Sequence, residues 1–226
     1  MPRGSFHEDM ADECHIRVRK AMVRGREDEH PWTARFARGC WARCRLPPGL
    51  GPATGAELLA GLRHPTNGSV QVDGLDLGEL GLDQLAEWRA ACVALCRVSS
   101  LLPDTPAIVQ VELALARRGQ GREGRRRQAL ALLHHWQLQP EAEAFPPQLS
   151  RRQLRRLLMA RATAQEPELV VVHEPGWRGL LAVLQRTLRE HGCFAPTIVI
   201  LRPGRSGPRR AGLPELSTSR TGRGGP

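Results

Sequence analysis

A chain of 226 residues has room for one large composite domain or two small ones, and 41% hydrophobic with 25% charged residues is an ordinary balance for a soluble globular protein. Its longest apolar runs, such as Leu169–Val172 and Ile198–Leu201, are far too short to cross a bilayer. The net charge of +10 is nearly all arginine, Lys20 being the only lysine, and it raises nucleic acid, an anionic surface or an acidic protein as partners.

In chain order, residues 1–14 read as an N-terminal extension. Its His7, Glu8, Asp9, Asp12 and Glu13 form neither the apolar run of a signal peptide nor an Arg-rich transit pattern, so a cytoplasmic protein is expected. Short strands follow at His15–Val18, Trp32–Phe36, Cys40–Arg45 and Ser69–Val72, the last after a turn at Pro65-Thr66-Asn67-Gly68. A helix over Gln84–Ala90 leads to a strand at Cys92–Cys96. Apolar residues at helical spacing then mark helices at Ala107–Ala116 and Arg125–Trp136. Leu149–Ala164 is an Arg-rich helix with Leu154, Leu157, Leu158 and Ala162 on one side. The wholly apolar strand Leu169–Val172, a helix over Gly179–His191 and the strand Thr197–Leu201 complete the order. Strands without alternation belong to a sheet covered on both faces, so the class is α/β.

Residues 203–226 read as a basic, disordered tail. From Arg202 onward six arginines stand against one glutamate among Pro, Gly and Ser, which is half of the net charge. Arginine in place of lysine through coding bias accounts for such a tail; contact with an anionic surface is the functional alternative. Nucleic acid is not expected, because tyrosine is absent, aromatics total 4%, and neither a stacking motif nor zinc-finger spacing occurs. Two cysteine pairs, Cys40/Cys44 and Cys92/Cys96, have a spacing that metal ligands use, but on strands four residues span roughly 13 Å, too far to share one ion. Buried reduced thiols are the expected state, and no metal site is expected.

The order of segments from about His15 to Pro203 resembles the nucleotide-binding domains of ABC transporters, most closely the ATPases serving lipoprotein-release and macrolide-type exporters. The clearest stretch is Ala60-Gly61-Leu62-Arg63-His64-Pro65-Thr66-Asn67-Gly68-Ser69-Val70-Gln71-Val72-Asp73-Gly74. Leu101-Leu102-Pro103, Gln148-Leu149-Ser150-Arg151-Arg152-Gln153 and Leu169-Val170-Val171-Val172-His173-Glu174-Pro175 follow in family order. The resemblance implies a P-loop NTPase-like core, a mixed sheet flanked by helices, with an N-terminal antiparallel β part. It places the domain at 15–202 with a helical subdomain at about 98–160.

Counting back from Gly61 without a gap puts the phosphate loop at Leu46-Pro47-Pro48-Gly49-Leu50-Gly51-Pro52-Ala53-Thr54. A working loop aims backbone N–H groups and a helix N-terminus at phosphate oxygens, while its lysine neutralises charge and its hydroxyl holds magnesium. In this register Gly49, Gly51 and Thr54 remain. Leu46 replaces the first glycine, Pro52 the lysine and Ala53 the magnesium-binding hydroxyl. Read without the family, Pro47-Pro48-Gly49 is simply a turn. The resemblance puts Arg97 at the magnesium-sensing glutamine, His173 at the magnesium-site aspartate, and Pro203 at the switch histidine. Glu174 stands in the general-base position; its plain alternative is a surface or N-cap carboxylate after a buried strand. Leu149, Ser150, Arg151, Arg152 and Gln153 stand at the signature sequence, with arginines where the family has two glycines.

The resemblance implies ATP and Mg as cofactors, and a membrane permease or a second ABC ATPase subunit as partners. The missing groups point to an ATP-binding subunit without catalysis of its own, a pseudo-ATPase. The alternative is a stand-alone basic interaction protein on the same scaffold, with no transport role.

Overall fold

The computed structural model describes residues 14–23, 30–116, 121–173, 177–190 and 195–204. The chain divides into two compact units, Met1–Glu87 with Pro196–Pro226, and Trp88–Ala195. The helical part expected at about 98–160 lies within the second unit, which also holds a parallel strand pair and a further helix.

In the first unit, β1 (Cys14–Met22), β2 (Trp32–Ala37) and β3 (Trp41–Arg45) are followed by α1 (Pro52–Leu59), β4 (Asn67–Val72) and β5 (Leu75–Asp76). An antiparallel sheet has the order β2-β1-β4-β5. Strict alternation in β2 buries Trp32, Ala34 and Phe36 and exposes Thr33, Arg35 and Ala37. In register, Ile16 lies between Phe36 and Val72, and Val18 between Ala34 and Val70, all of them buried. At Lys20 the backbone turns left-handed with φ 45°, a bulge that shifts the register and returns Ala21 to the buried face. That bulge is why β1 extends beyond the expected Val18. Asn67 and Gly68, expected in a turn, instead open β4. Gly68 has φ 80°, and a Cβ there would lie 2.2 Å from the Arg19 carbonyl oxygen, so glycine is required.

β3 runs parallel to β8 (Thr197–Arg202), from Trp41 opposite Ile198 to Arg45 opposite Arg202. α1 has no counterpart among the helices expected from periodicity. Its sequence PATGAELL contains a proline and a glycine, and the proline is tolerated because it occupies the first turn, after the N-cap Gly51.

The helix α2 (Leu82–Cys92) carries the chain into the second unit, and Cys92 is therefore the last residue of a helix rather than the first of a strand. There β6 (Val93–Cys96) pairs in parallel with β7 (Leu169–Val172), whose four residues are all buried. Around them stand α3 (Ala107–Leu115), α4 (Arg122–His135), α5 (Arg151–Gln165) and α6 (Arg178–Glu190). Ile108, Val111, Leu115, Leu133, Leu138, Leu157 and Met159 are fully buried. Several polar groups buried here have partners. Trp136 Nε1 donates to Thr163 Oγ1 at 3.0 Å, and the Gln110 amide donates to the Leu102 and Thr105 carbonyls while accepting the Leu102 N–H. Among the described residues, no helix is long and apolar enough to cross a membrane.

Candidate functional site

The segment expected to cradle phosphate lies where β3 ends and α1 begins. Its peptide groups can be followed one by one. Pro47, Pro48 and Pro52 have no N–H to offer. The Leu46 N–H donates to the Arg202 carbonyl at 3.0 Å and the Leu50 N–H closes a turn onto Pro47 at 3.3 Å. The N–H groups of Gly49, Gly51, Ala53 and Thr54 remain, the last two at the start of α1, where the Gly51 N-cap supplies no side-chain cap. An anion at this end of α1 would meet these donors and the helix dipole, with no ammonium beside them.

Leu46 has a second role that the sequence did not reveal. It is 1% exposed, and a Cβ on Gly55 would come within 2.9 Å of its Cδ1. The leucine side chain therefore seats against α1, and Gly55 supplies the space. The only sequence signal was the pairing of an apolar residue at 46 with a glycine nine positions on. Behind the loop, Gly204 approaches so closely that a Cβ would lie 2.7 Å from the Leu46 carbonyl oxygen. Pro203, expected at the switch-histidine position, directly precedes a segment in contact with the loop.

In the second unit, Ser150 is the N-cap of α5. Its hydroxyl accepts the Gln153 N–H, and the Gln153 side chain accepts the Ser150 N–H at 2.9 Å, a reciprocal capping box. The Gln153 amide also donates to Glu141 Oε1 at 2.8 Å. Leu149 is buried, whereas Arg151 and Arg152 occupy the first two helical positions and are exposed. Among the described residues no carboxylate pairs with either one. Arg97 follows β6, His173 follows β7, and Glu174 lies outside the described residues. Arg161, on α5, donates to the Ser100 carbonyl at 3.0 Å; its burial lowers the pKa of the guanidinium. Arg161, Gln110, Leu102 and Leu113 border a concavity of about 160 Å³, where Leu102 and Leu113 are 51% and 55% exposed.

Two groups outside these motifs are electrostatically organised. Asp73, half-exposed and with φ 49°, accepts from His15 Nδ1 at 3.0 Å and pairs with Arg38. Partial burial works against its carboxylate, but the bonds from His15 and Arg38 outweigh burial and hold its pKa below the ordinary value. Burial pushes the Cys40 and Cys44 thiols up, away from the thiolate that metal binding requires. Cys40 precedes β3 instead of lying in it, and Cys44 is buried within it.

The model of the ABC transporter family matches residues 47–176 of the chain. The chain is 33% identical over 126 residues to a methionine import ATP-binding protein of Oceanobacillus iheyensis, an alignment covering 56% of the chain and 37% of the relative. It is 33% identical over 159 residues to a macrolide export ATP-binding/permease protein of Burkholderia pseudomallei, covering 68% of the chain and 24% of the relative. The chain thus spans less than half the length of these relatives. In fold it is similar to a dimeric ATP-binding cassette in a post-hydrolysis state bound to ADP and Pi, with a TM-score of 0.70 and 24% identity over 82% of this chain and 87% of that one.

Proposed function

This chain belongs to the ABC transporter family, and from that premise we propose that it is an ATP-binding subunit without hydrolytic activity of its own. In this reading it supports transport through a membrane permease or through a competent partner ATPase. One observation carries the reading: in the loop from Leu46 to Thr54, three residues have no N–H and two more N–H groups are spent on protein carbonyls. A phosphate cradle needs those donors to converge on the ligand. The chemistry at the magnesium positions agrees. Ala53 has no oxygen to offer, and the His173 imidazole is a poor ligand for a hard cation that prefers carboxylate oxygens. The residues present do not fit Mg-ATP as a hydrolytic site, and no step of hydrolysis is assigned to them. The four remaining amides leave room for weak nucleotide binding.

Two surfaces supply roles in an assembly. Arg151 and Arg152 project cationic side chains from the positive end of α5, where an anion held by a partner subunit would stabilise them. In this reading they contact ATP held by an intact partner, much as an arginine finger acts in trans. The helical subdomain, about 98–160, offers the exposed Leu102 and Leu113 as its docking surface for a permease. The location that follows is cytoplasmic, at the inner face of the membrane.

The test is calorimetric titration of Mg-ATP into the parent protein and into the variant Pro52→Lys/Ala53→Ser. The variant restores the ammonium, one N–H and the magnesium-binding hydroxyl together. Absent or millimolar binding in the parent with recovery in the variant is expected. Micromolar binding by the parent would overturn the reading of the loop and make Glu174 the next residue to substitute.

A further inference from the structure

The outward face of the antiparallel sheet in the first unit carries an unusual set of groups. The Lys20 bulge breaks the alternation of β1, so that Arg19 and Lys20 are both exposed in succession. Arg35 projects from the exposed side of β2 and stands in register opposite Arg17, a cross-strand pair of like charges. Such pairs destabilise a sheet unless an anion offsets them. Arg17 itself is partly buried, and its Nε has no partner. Among the described residues no carboxylate pairs with Arg17, Arg19, Lys20 or Arg35.

Arg19, Lys20 and Arg35 border a concavity of about 520 Å³ that shares no residue with the loop from Leu46 to Thr54. Its neutral polar lining presents donors. Thr33 Oγ1 accepts the Lys20 N–H at 3.1 Å, which leaves the hydroxyl proton to be donated outward. Asn67 Oδ1 accepts the Gly68 N–H at 2.8 Å, which leaves the amide NH₂ to be donated. Ser69, opposite Arg19, adds a hydroxyl. A surface that offers ammonium, guanidinium, hydroxyl and amide protons, with no carboxylate among its lining residues, is complementary to an oxyanion rich in acceptors. The aromatic residues of these strands, Trp32 and Phe36, are buried on the opposite face, so bases have nothing to stack on.

We propose that this concavity is a binding site for a compact polyphosphate anion, separate from the nucleotide loop. Several closely spaced phosphates would place acceptors against Arg19, Arg35 and Lys20 at once, which a single carboxylate cannot do. Inorganic tripolyphosphate, titrated calorimetrically in low salt into the full chain, is the probe. Binding should weaken at least tenfold in Arg19→Gln/Arg35→Gln, weaken several-fold in Ser69→Ala, and weaken on raising NaCl from about 50 to 300 mM. All three positions lie at the surface, and circular dichroism of each variant confirms that it folds. The variant Ala53→Asp, which sets a carboxylate at the start of α1, should bind as the parent does. Loss confined to Ala53→Asp would assign the anion to the nucleotide loop and overturn the proposal. Equal affinity for a poly-glutamate peptide, lost equally in Arg19→Gln/Arg35→Gln, would overturn the polyphosphate assignment in favour of an acidic protein segment. Absence of tripolyphosphate binding by the parent in low salt would overturn it outright.

Discussion

Substituting Gly55 by alanine tests whether Leu46, the first position of the expected phosphate loop, is part of the core. A methyl group there would lie 2.9 and 3.1 Å from the two Leu46 methyls and 3.3 Å from Leu201 Cδ1. Leu46 and Leu201 are 1% and 2% exposed, so neither side chain can swing into solvent. Helix propensity alone would make Gly55→Ala stabilising by about 1 kcal/mol. Overpacking costs about 1–3 kcal/mol, so the net effect should be a loss of about 1 kcal/mol. Leu46→Ala should cost about 3–5 kcal/mol through lost burial and a residual cavity. In that background the new methyl at 55 enters vacated space, and the second substitution should become stabilising by about 1 kcal/mol. Urea unfolding of the four proteins measures the coupling, expected at about 1–3 kcal/mol. If Gly55→Ala stabilises the parent and the two changes add within about 0.5 kcal/mol, Leu46 does not seat against α1, and the placement of the loop fails with it.

Arg151→Gln/Arg152→Gln should raise stability by about 0.3–1 kcal/mol per site, because both cations oppose the dipole of α5. In a reconstituted complex the same variant should lower the ATPase rate of a competent partner subunit, and an unchanged rate would remove the proposed contact in trans. Gln110→Leu should cost about 1–3 kcal/mol, since the Leu102 N–H and the Leu102 and Thr105 carbonyls lose the buried amide that partners them. Hydrogen exchange at the Leu102 amide should accelerate. The Asp73 carboxylate, with its pKa depressed in the folded state, contributes stability that is present above its unfolded pKa and disappears as pH falls through the folded value. The stability difference between the parent and Asp73→Asn should therefore shrink as pH falls below about 4. A difference that kept growing below about pH 4 would contradict the bonds assigned to His15 and Arg38.

The sequence by itself determined most of the elements, and with them the family. Unbroken apolar runs such as Leu169–Val172 define strands whatever surrounds them, and the apolar spacing in Leu149–Ala164 marks one helical face, because both patterns are local consequences of burial. It also shows that a proline at 52 lacks an ammonium and an N–H in any conformation. The helix α1 is not marked by its sequence because its proline and glycine weaken propensity; burial of Leu58 and Leu59 and contact with Leu46 outweigh that local preference. Only the tertiary structure decided which amides of the loop are spent and which remain, because their acceptors lie as far away in sequence as Arg202. It alone gathered Arg17, Arg19, Arg35 and Asn67 on one face, since the pairing of strands far apart in sequence, and a one-residue bulge at Lys20, set which side chains point outward together.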